Sequence, residues 1–476
     1  MIIKSKNHTV TNFTSFIIRS FSFILLLFIF ACAYNHIGVS AASKPGKPTI
    51  AVVPNYTYED KMILKVVVDK NDNTDGYSVY IKTPGKSKFK AVLTQKYNGD
   101  YSRTLYIYDL APGKYQVKVK AYKEKGSKKV WGKFSDTQKV TLKKVKTSYP
   151  IDINEKNFPD DIFRQIILDT YDQNKDSKLS KEEADSCVVL NLRLSGVSNL
   201  KGIEYFKQLS SLSCDENNLT ELDLSGNFNI DSIFCEHNQI QSINISNCYS
   251  LKRLTCDNNQ ITSLDLSNNT LLEEVSARIN NISTLKFGKK PYLKRIDFHT
   301  NKLTSIKVNS YTSLEKIVLS GNDISKIDVS NLKNLISLDI SGNSLKKLNV
   351  KNNTKLKELL VSGNLFNEID ISRNTELTRL AVQKLGLKKL DVSKNTKLVE
   401  FWCGYNELTE LDVSNNSNLY GLYCNDNQLK TIELNNHPEL KVLYCYHNNI
   451  WELDLRNVHL LSGGGLKADL ETMVIK

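Results

Sequence analysis

The densest run of potential metal-binding oxygens in the chain is Asp172-Gln-Asn174-Lys-Asp176-Ser177-Lys178-Leu179-Ser180-Lys-Glu182-Glu183. Side-chain oxygens fall at loop positions 1, 3, 5 and 9 through Asp172, Asn174, Asp176 and Ser180; the Lys178 carbonyl lies among them and Glu183 closes the loop at position 12. Oxygens spaced this way on one flexible turn surround a hard cation, and calcium is the ion that fits. Two features depart from that pattern. Ser177 stands where the sharp turn usually has glycine, and the chain turns extended by Val188 to Leu192, which leaves little room for an exit helix. The same residues therefore also suit a loop that only caps the hydrophobic end of the segment C-terminal to it.

A second constellation is aromatic. Trp402, Tyr423 and Tyr444 recur at intervals of 21 residues, with Tyr405 and Tyr446 close by. Such rings offer a large contact area for few rotors, so an exposed row of them could stack on sugars or anchor a protein loop. The competing reading is a cross-strand ladder that merely stiffens a sheet. Upstream, Asp215, Glu216, Glu236 and Asp257 form an acidic strip beside His237, open to a cation or a basic ligand but also an ordinary solvated edge. Nothing points to catalysis: the seven histidines show no H-x-x-x-H or H-E-x-x-H spacing, and neither G-x-S-x-G nor a P-loop occurs.

The elements that must position these residues come from a repeat. From Leu209 an apolar residue returns every 21 positions, through Ile230, Leu251 and Leu272 to Leu440, for twelve units without insertion or deletion. One unit reads Leu419-Tyr-Gly-Leu422-Tyr-Cys424-Asn-Asp-Asn427-Gln-Leu429 and continues to Ile432 and Leu434. Positions 1, 4, 6, 11, 14 and 16 are mostly apolar and stack on their equivalents one coil away, so a solenoid with a continuous core is predicted. Position 9 is asparagine from Asn217 and Asn238 to Asn427 and Asn448, the exception being Leu385. A side chain that both donates and accepts can satisfy peptide groups buried where each coil bends, so these asparagines read as structural and the Leu385 coil as locally distorted. Position 5 lies between two inward residues and points outward; it runs Ser213, Phe234, Thr255, Ser276, Asp297, Val318, Asp339, Leu360, Ala381, Trp402, Tyr423, Tyr444.

This pattern resembles the leucine-rich repeat, in a short bacterial-looking form. The resemblance implies a curved stack that binds on its concave face and encloses no pocket. The acidic loop, placed after a helix candidate at Asn157 to Leu168, resembles an EF-hand, and the two together resemble the helical cap that begins many bacterial surface repeat arrays.

Ahead of the cap, residues 44–147 read as short alternating strands, clearest at Met62–Val68, Gly76–Ile81 and Tyr115–Tyr122. Leu110-Ala-Pro112-Gly113-Lys-Tyr115 and Trp131-Gly-Lys-Phe134 resemble a fibronectin type III module, in which the Tyr hydroxyl bonds back to the chain; a spacer role is its simplest use. Its linker, Lys143 to Pro150, is expected to keep the two parts near each other without fusing them.

Residues 1–41 carry Lys4, Lys6 and Arg19, an apolar run from Phe21 to Ala33 and small residues at Val39-Ser40-Ala41, the anatomy of a secretory signal. A retained anchor or a lipid-modified Cys32 are the alternatives. Removing this segment lowers the net charge from +13 to +10, a surplus that favours anionic partners such as wall polymers. No nucleic-acid motif accompanies it, and contact with a membrane is expected only through an uncleaved signal or a lipidated Cys32.

Six of the nine cysteines, Cys214, Cys235, Cys256, Cys403, Cys424 and Cys445, occupy position 6, filled elsewhere by Leu319, Ile340, Val361 and Val382. They read as buried apolar plugs in place of a disulfide framework.

The expected architecture is multidomain: a signal peptide at 1–41, a fibronectin type III-like β-sandwich at 44–147, a helical EF-hand-like cap at 151–189, a leucine-rich repeat solenoid at 190–465 and a C-terminal tail or cap at 466–476. In broad plan it resembles the internalins. The resemblance implies a non-enzymatic secreted or surface adhesion protein that recognises an extracellular protein or glycan through Trp402, Tyr405, Tyr423, Tyr444 and Tyr446. The alternatives are the targeting portion of an extracellular hydrolase or wall assembly, and a pure spacer.

Overall fold

The computed structural model describes residues 44–56, 62–68, 73–96, 104–143, 148–456, 458 and 464–475; the signal segment and Cys32 lie outside them. In the N-terminal part, period-2 alternation yields eight antiparallel strands: β1 (Ile50–Tyr56), β2 (Met62–Val68), β3 (Gly76–Lys82), β4 (Lys90–Lys96), β5 (Thr104–Leu110), β6 (Gly113–Lys125), β7 (Lys128–Phe134) and β8 (Gln138–Leu142). One sheet has the order β1-β2-β5, the other β4-β3-β6-β7, with β8 also on β6. Leu64, Val66, Val79, Val117, Val119 and Ala121, all buried, contribute to the core they share. The Tyr115 hydroxyl donates to the Ala111 carbonyl at 2.9 Å, the backward bond its sequence context suggests.

Next come β9 (Ile151–Asp152), α1 (Asp161–Thr170), β10 (Lys178–Leu179) and α2 (Lys181–Ser186). Asp160 caps α1 by accepting from the Phe163 amide at 2.8 Å. Its other oxygen takes the Ser198 amide and hydroxyl and the Asn199 amide, so one carboxylate ties the helix to the first solenoid coil. Burial alone would raise the Asp160 pKa, but these bonds outweigh it and hold the carboxyl below its usual range.

The solenoid is built on a 14-stranded parallel sheet: β11 (Val189–Asn191), the strands of the twelve units from Ser211–Ser213 to Val442–Tyr444, and a last strand at Leu466–Lys467. Strands of successive units pair 21 residues apart, as in Leu212 with Ile233. At the C-terminal end the offset grows to 23, Leu443 pairing with Leu466, and returns to 21 where Glu452–Asp454 pairs with Met473–Ile475. The segment expected as a tail or cap is therefore one more coil. One buried apolar column runs from Ile153 to Leu455. The eight described cysteines are free and buried, and burial pushes the position-6 thiols up, so they are inert packing groups.

The asparagine ladder works as its chemistry suggests. Asn343 donates to the carbonyls of Leu319, Ile340 and Ser341 and accepts from the Ile324 amide at 2.9 Å. Where Leu385 interrupts the ladder the strand keeps its register. The distortion is local: Gly386 is an additional left-handed residue (φ 69°), the Lys384 amide is shared between the Gly404 and Tyr405 carbonyls, and Asn406 in the next coil accepts from both the Leu385 and Leu387 amides.

A second ladder stands at position 19, where the sequence pattern alone assigns no role. Asn353, Asn374, Asn395 and Asn416 each donate to the position-16 and position-19 carbonyls of the preceding coil, as Asn374 does to Val350 and Asn353. Their side-chain oxygens have no partner. Because only the donor end is used, any buried donor serves there: His437 Nε2 meets the Val413 carbonyl at 3.0 Å and Lys290 Nζ meets that of Leu266 at 2.7 Å.

Lys290 is 2 % exposed, and burial pulls its pKa down to about 7. In the unfolded chain the same group titrates near 10.5. Between those values the unfolded chain holds a proton that the folded chain has released, so stability rises with pH across this window and the penalty is full below about 7. Lys290→Asn, which reinstates the ladder residue, should raise the melting temperature at pH 7 and flatten its rise between pH 7 and 10; an unchanged pH profile would refute this.

Candidate binding face

Because position 5 alternates with inward positions 4 and 6, Trp402, Tyr423 and Tyr444 stand on the open side of the long sheet, each half-buried. Trp402 and Tyr423 stack with centroids 5.5 Å apart and planes at 14°, and Tyr423 and Tyr444 meet edge to face at 5.1 Å. Cations bracket the row. The Arg379 guanidinium lies 5.5 Å from the centre of the Trp402 ring and Lys467 Nζ 4.3 Å from that of Tyr444. The Trp402 ring thus already has two partners, Tyr423 and Arg379.

Beside it runs position 8, left-handed in all twelve coils, from Glu216 (φ 56°) to His447 (φ 55°). The three central coils meet that demand with Gly321, Gly342 and Gly363, whereas the C-terminal coils keep Lys384, Tyr405, Asp426 and His447. A side chain in this region costs roughly 1 kcal/mol relative to glycine, and nine of the twelve coils, at both ends of the array, carry one there. Lys384 Nζ stands 5.1 Å from the Tyr405 ring centre, and Asp426 accepts from His447 Nδ1 at 2.8 Å. Tyr446 packs edge to face on His447 at 4.8 Å. Burial would raise the Asp426 carboxyl, yet hydrogen bonds from Asn425, His447 and Tyr405 bring it below its usual range. That charge in turn raises the Tyr405 hydroxyl. All five aromatic residues singled out from sequence thus lie on adjoining coils, but half of the constellation, Arg379, Lys384, Asp426, His447 and Lys467, emerges only from the fold. For Lys384, Asp426 and His447 the signal in the sequence is the same 21-residue spacing read at position 8.

Glu400 sits beside the row, its Oε2 buried without a hydrogen-bond partner and its pKa raised by that burial. Gly421 leaves it room, since a Cβ there would lie 2.7 Å from Oε2.

The acidic strip is not open. Arg193 bridges Asp215 at 2.8 Å and also pairs with Glu216, while Arg278 reaches Asp257 at 3.7 Å and Asp297 at 2.7 Å. Asp215, Glu216 and Asp257 are thus met by cations of the chain, whereas Glu236 has no salt bridge among the described residues and burial raises its pKa.

In the loop from Asp172 to Glu183, Lys175 and Ser177 take left-handed φ of 59° and 58°, so serine performs the turn that glycine usually makes. Asp172 accepts from the Asp176 and Ser177 amides, Asn174 from the Asp176 amide, and Asp176 from the Lys178 amide. Glu183 accepts from the Gln173 and Ser180 amides at 2.9 and 2.8 Å, forming with the Ser180 hydroxyl the capping box of α2. The donors are oxygens, as a hard cation prefers. Among the described residues, however, no three His, Cys, Asp or Glu side chains come close enough to hold a metal ion.

No protein-family model matches the sequence, and no curated protein matches it. Solved structures do. The functional domain of InlJ from Listeria monocytogenes, described as including a cysteine ladder, aligns with a TM-score of 0.57 at 28% identity over 66% of this chain and 75% of that one. In its repeat array the chain is similar to an internalin. The internalin InlF from Listeria monocytogenes aligns with the same TM-score at 22% identity, over 68% of this chain and 99% of that one, which bears on the fold alone. The solenoid has the leucine-rich repeat fold. Cysteine ladders occur here too, as two three-rung stacks, Cys214-Cys235-Cys256 and Cys403-Cys424-Cys445, at position 6 of consecutive coils. Among the described residues, no helix is long and apolar enough to cross a membrane.

Proposed function

We propose that the chain is a secreted or surface-exposed bacterial recognition protein of internalin-like plan, without enzymatic activity, that binds an extracellular protein on the concave side of its last coils. The observation that carries this reading is the row Trp402-Tyr423-Tyr444 with its bracketing cations and the adjoining Tyr405, Asp426, Tyr446 and His447. Sugar recognition by stacking needs a free ring face, and the Trp402 ring already has two partners, Tyr423 and Arg379. Edges, hydroxyls and cations suit the carbonyl and carboxylate oxygens of a polypeptide. Binding of the secreted chain to extracellular protein arrays and to glycan arrays tests this: hits confined to proteins support it, and hits confined to glycans overturn it.

In this reading residues 44–147 are a fibronectin type III-like spacer and residues 151–189 an EF-hand-like cap that takes calcium through Asp172, Asn174, Asp176, Ser180, Glu183 and the Lys178 carbonyl. Calcium bound only by the folded chain raises stability by mass action, about 2.7 kcal/mol at one hundred times its dissociation constant. The melting temperature should therefore rise between chelator and millimolar calcium, and Asp172→Ala/Glu183→Ala should abolish the rise. Equal melting in both conditions would leave the loop as a cap only.

A further inference from the structure

A separate feature, unrelated to the aromatic row, lies where the sandwich meets the solenoid. Ala51 and Val53 of β1 pack on Leu271, with Val67, Tyr249 and Tyr292 around them, and the Tyr292 hydroxyl donates to the Val67 carbonyl at 3.2 Å. Leu271 and Tyr292 hold position 21 of their units, which is Asn229, Asn334, Lys355, Glu376 or Lys397 elsewhere, so the repeat is broken where the sandwich docks. The turn beside this contact departs as well: Gly288-Lys289-Lys290-Pro291 replaces the polar bend typified by Ser414-Asn-Asn416-Ser417.

Between the two parts this leaves a cleft of about 480 Å³. Lys47 and Lys139 line it from the sandwich and Lys289 and Lys290 from the solenoid, against one carboxylate, Asp136. Lys47 bonds Asp136 at 2.7 Å and Lys290 is spent on backbone carbonyls. Among the described residues this leaves the exposed Lys139 and Lys289 as the cations that line the cleft from its two sides without a salt bridge. Thr270 adds a hydroxyl oxygen that is buried and has no hydrogen-bond partner. Orphaned oxygens also occur at the fully buried position-19 asparagines, but Thr270 is only half-buried and borders the open cleft, where a turn of its side chain would bring the hydroxyl to a ligand.

We propose that this cleft binds a phosphate group, with Lys139 and Lys289 closing on its charge from the two parts and the Thr270 hydroxyl donating to one of its oxygens. Lysine ammonium groups bind phosphate as compact point charges with rotatable donors. Clefts between domains are also where ligand sites concentrate. The phosphate is either a free anion or one unit of a phosphate-bearing polymer, such as a poly(glycerol phosphate).

The test is a titration of the full secreted chain with inorganic phosphate and, separately, with poly(glycerol phosphate), followed by melting and calorimetry at ionic strength matched with chloride. Saturable binding is expected, weakened at least tenfold in Lys139→Gln/Lys289→Gln. Both substitutions are at exposed positions, and an unchanged melting temperature without ligand will show that folding is retained. Thr270→Val should weaken binding in the same direction. Tighter binding of the polymer per phosphate assigns the site to a polymer, and equal binding assigns it to the free anion. Absence of saturation beyond the chloride control, or equal binding by the double variant, overturns the proposal while leaving the aromatic face untouched.

Discussion

Asn406→Ala should be, with Asn217→Ala, which likewise loses two accepted amides, the most damaging substitution in the asparagine ladder, at roughly 3–5 kcal/mol, because each buried polar group left unpaired costs about 1–3 kcal/mol. Asn406 donates to the carbonyls of Val382, Cys403 and Gly404 and accepts from two amides, Leu385 and Leu387. Asn343 accepts from only one. The difference arises from Leu385, which supplies no side-chain amide; the Val382 carbonyl thus has a single side-chain donor, where the Leu319 carbonyl has two, from Asn322 and Asn343. Stability in such arrays is a sum over neighbouring coils, so the loss should appear as earlier opening of the coils from about Arg379 onward in hydrogen exchange as well as in urea midpoints. Equal costs for Asn406→Ala and Asn343→Ala would show that the doubled acceptance carries no weight. Leu385→Asn should lessen the damage of Asn406→Ala, since it returns a donor to Val382; an additive double variant would count against the coupling.

Trp402→Ala/Tyr423→Ala/Tyr444→Ala should weaken partner binding at least a hundredfold, because aromatic anchors at the centre of an interface each contribute about 2 kcal/mol or more. The same rings hold one another, and each aromatic pair adds roughly 0.5–1.5 kcal/mol to the fold, so the variant should also melt lower. The two effects separate on measurement. If the row only stiffens the sheet, the melting temperature falls and affinity stays; if it is a recognition surface, affinity falls far more than the modest loss of stability explains. Comparison with Lys384→Ala and Lys467→Ala, which leave the stack intact and remove the cations over Tyr405 and Tyr444, locates the polar part of the contact. Unchanged affinity in all three variants would remove the last coils from consideration as the site.

How much of the protein is legible in its sequence depends on what a 21-residue period records. Equivalent residues in successive coils are vertical neighbours, so the stacking of Leu212 on Ile233, the burial of Cys424 between Cys403 and Cys445, and the alignment of Trp402, Tyr423 and Tyr444 can be read directly. The position-19 asparagines recur at the same period from Asn353 to Asn416 yet carry no such message, because burial of a bend residue depends on how tightly the coil closes there. Neutralisation of the acidic strip is only half legible: Arg278 stands 21 residues after Asp257 in the same position-7 column, whereas Arg193 comes from the irregular first coil.

From residue order alone come the solenoid, its phase, its inward and outward sets and the lack of a catalytic motif, because each coil is bounded by copies of itself and periodicity is then equivalent to contact. Tertiary structure alone decides which ring faces remain free, which acids already have partners, and where the sandwich rests on the coils near Leu271 and Tyr292. Those outcomes depend on lateral packing and side-chain orientation between segments of unrelated sequence, and no repeat spacing encodes the balance of burial and charge that selects them.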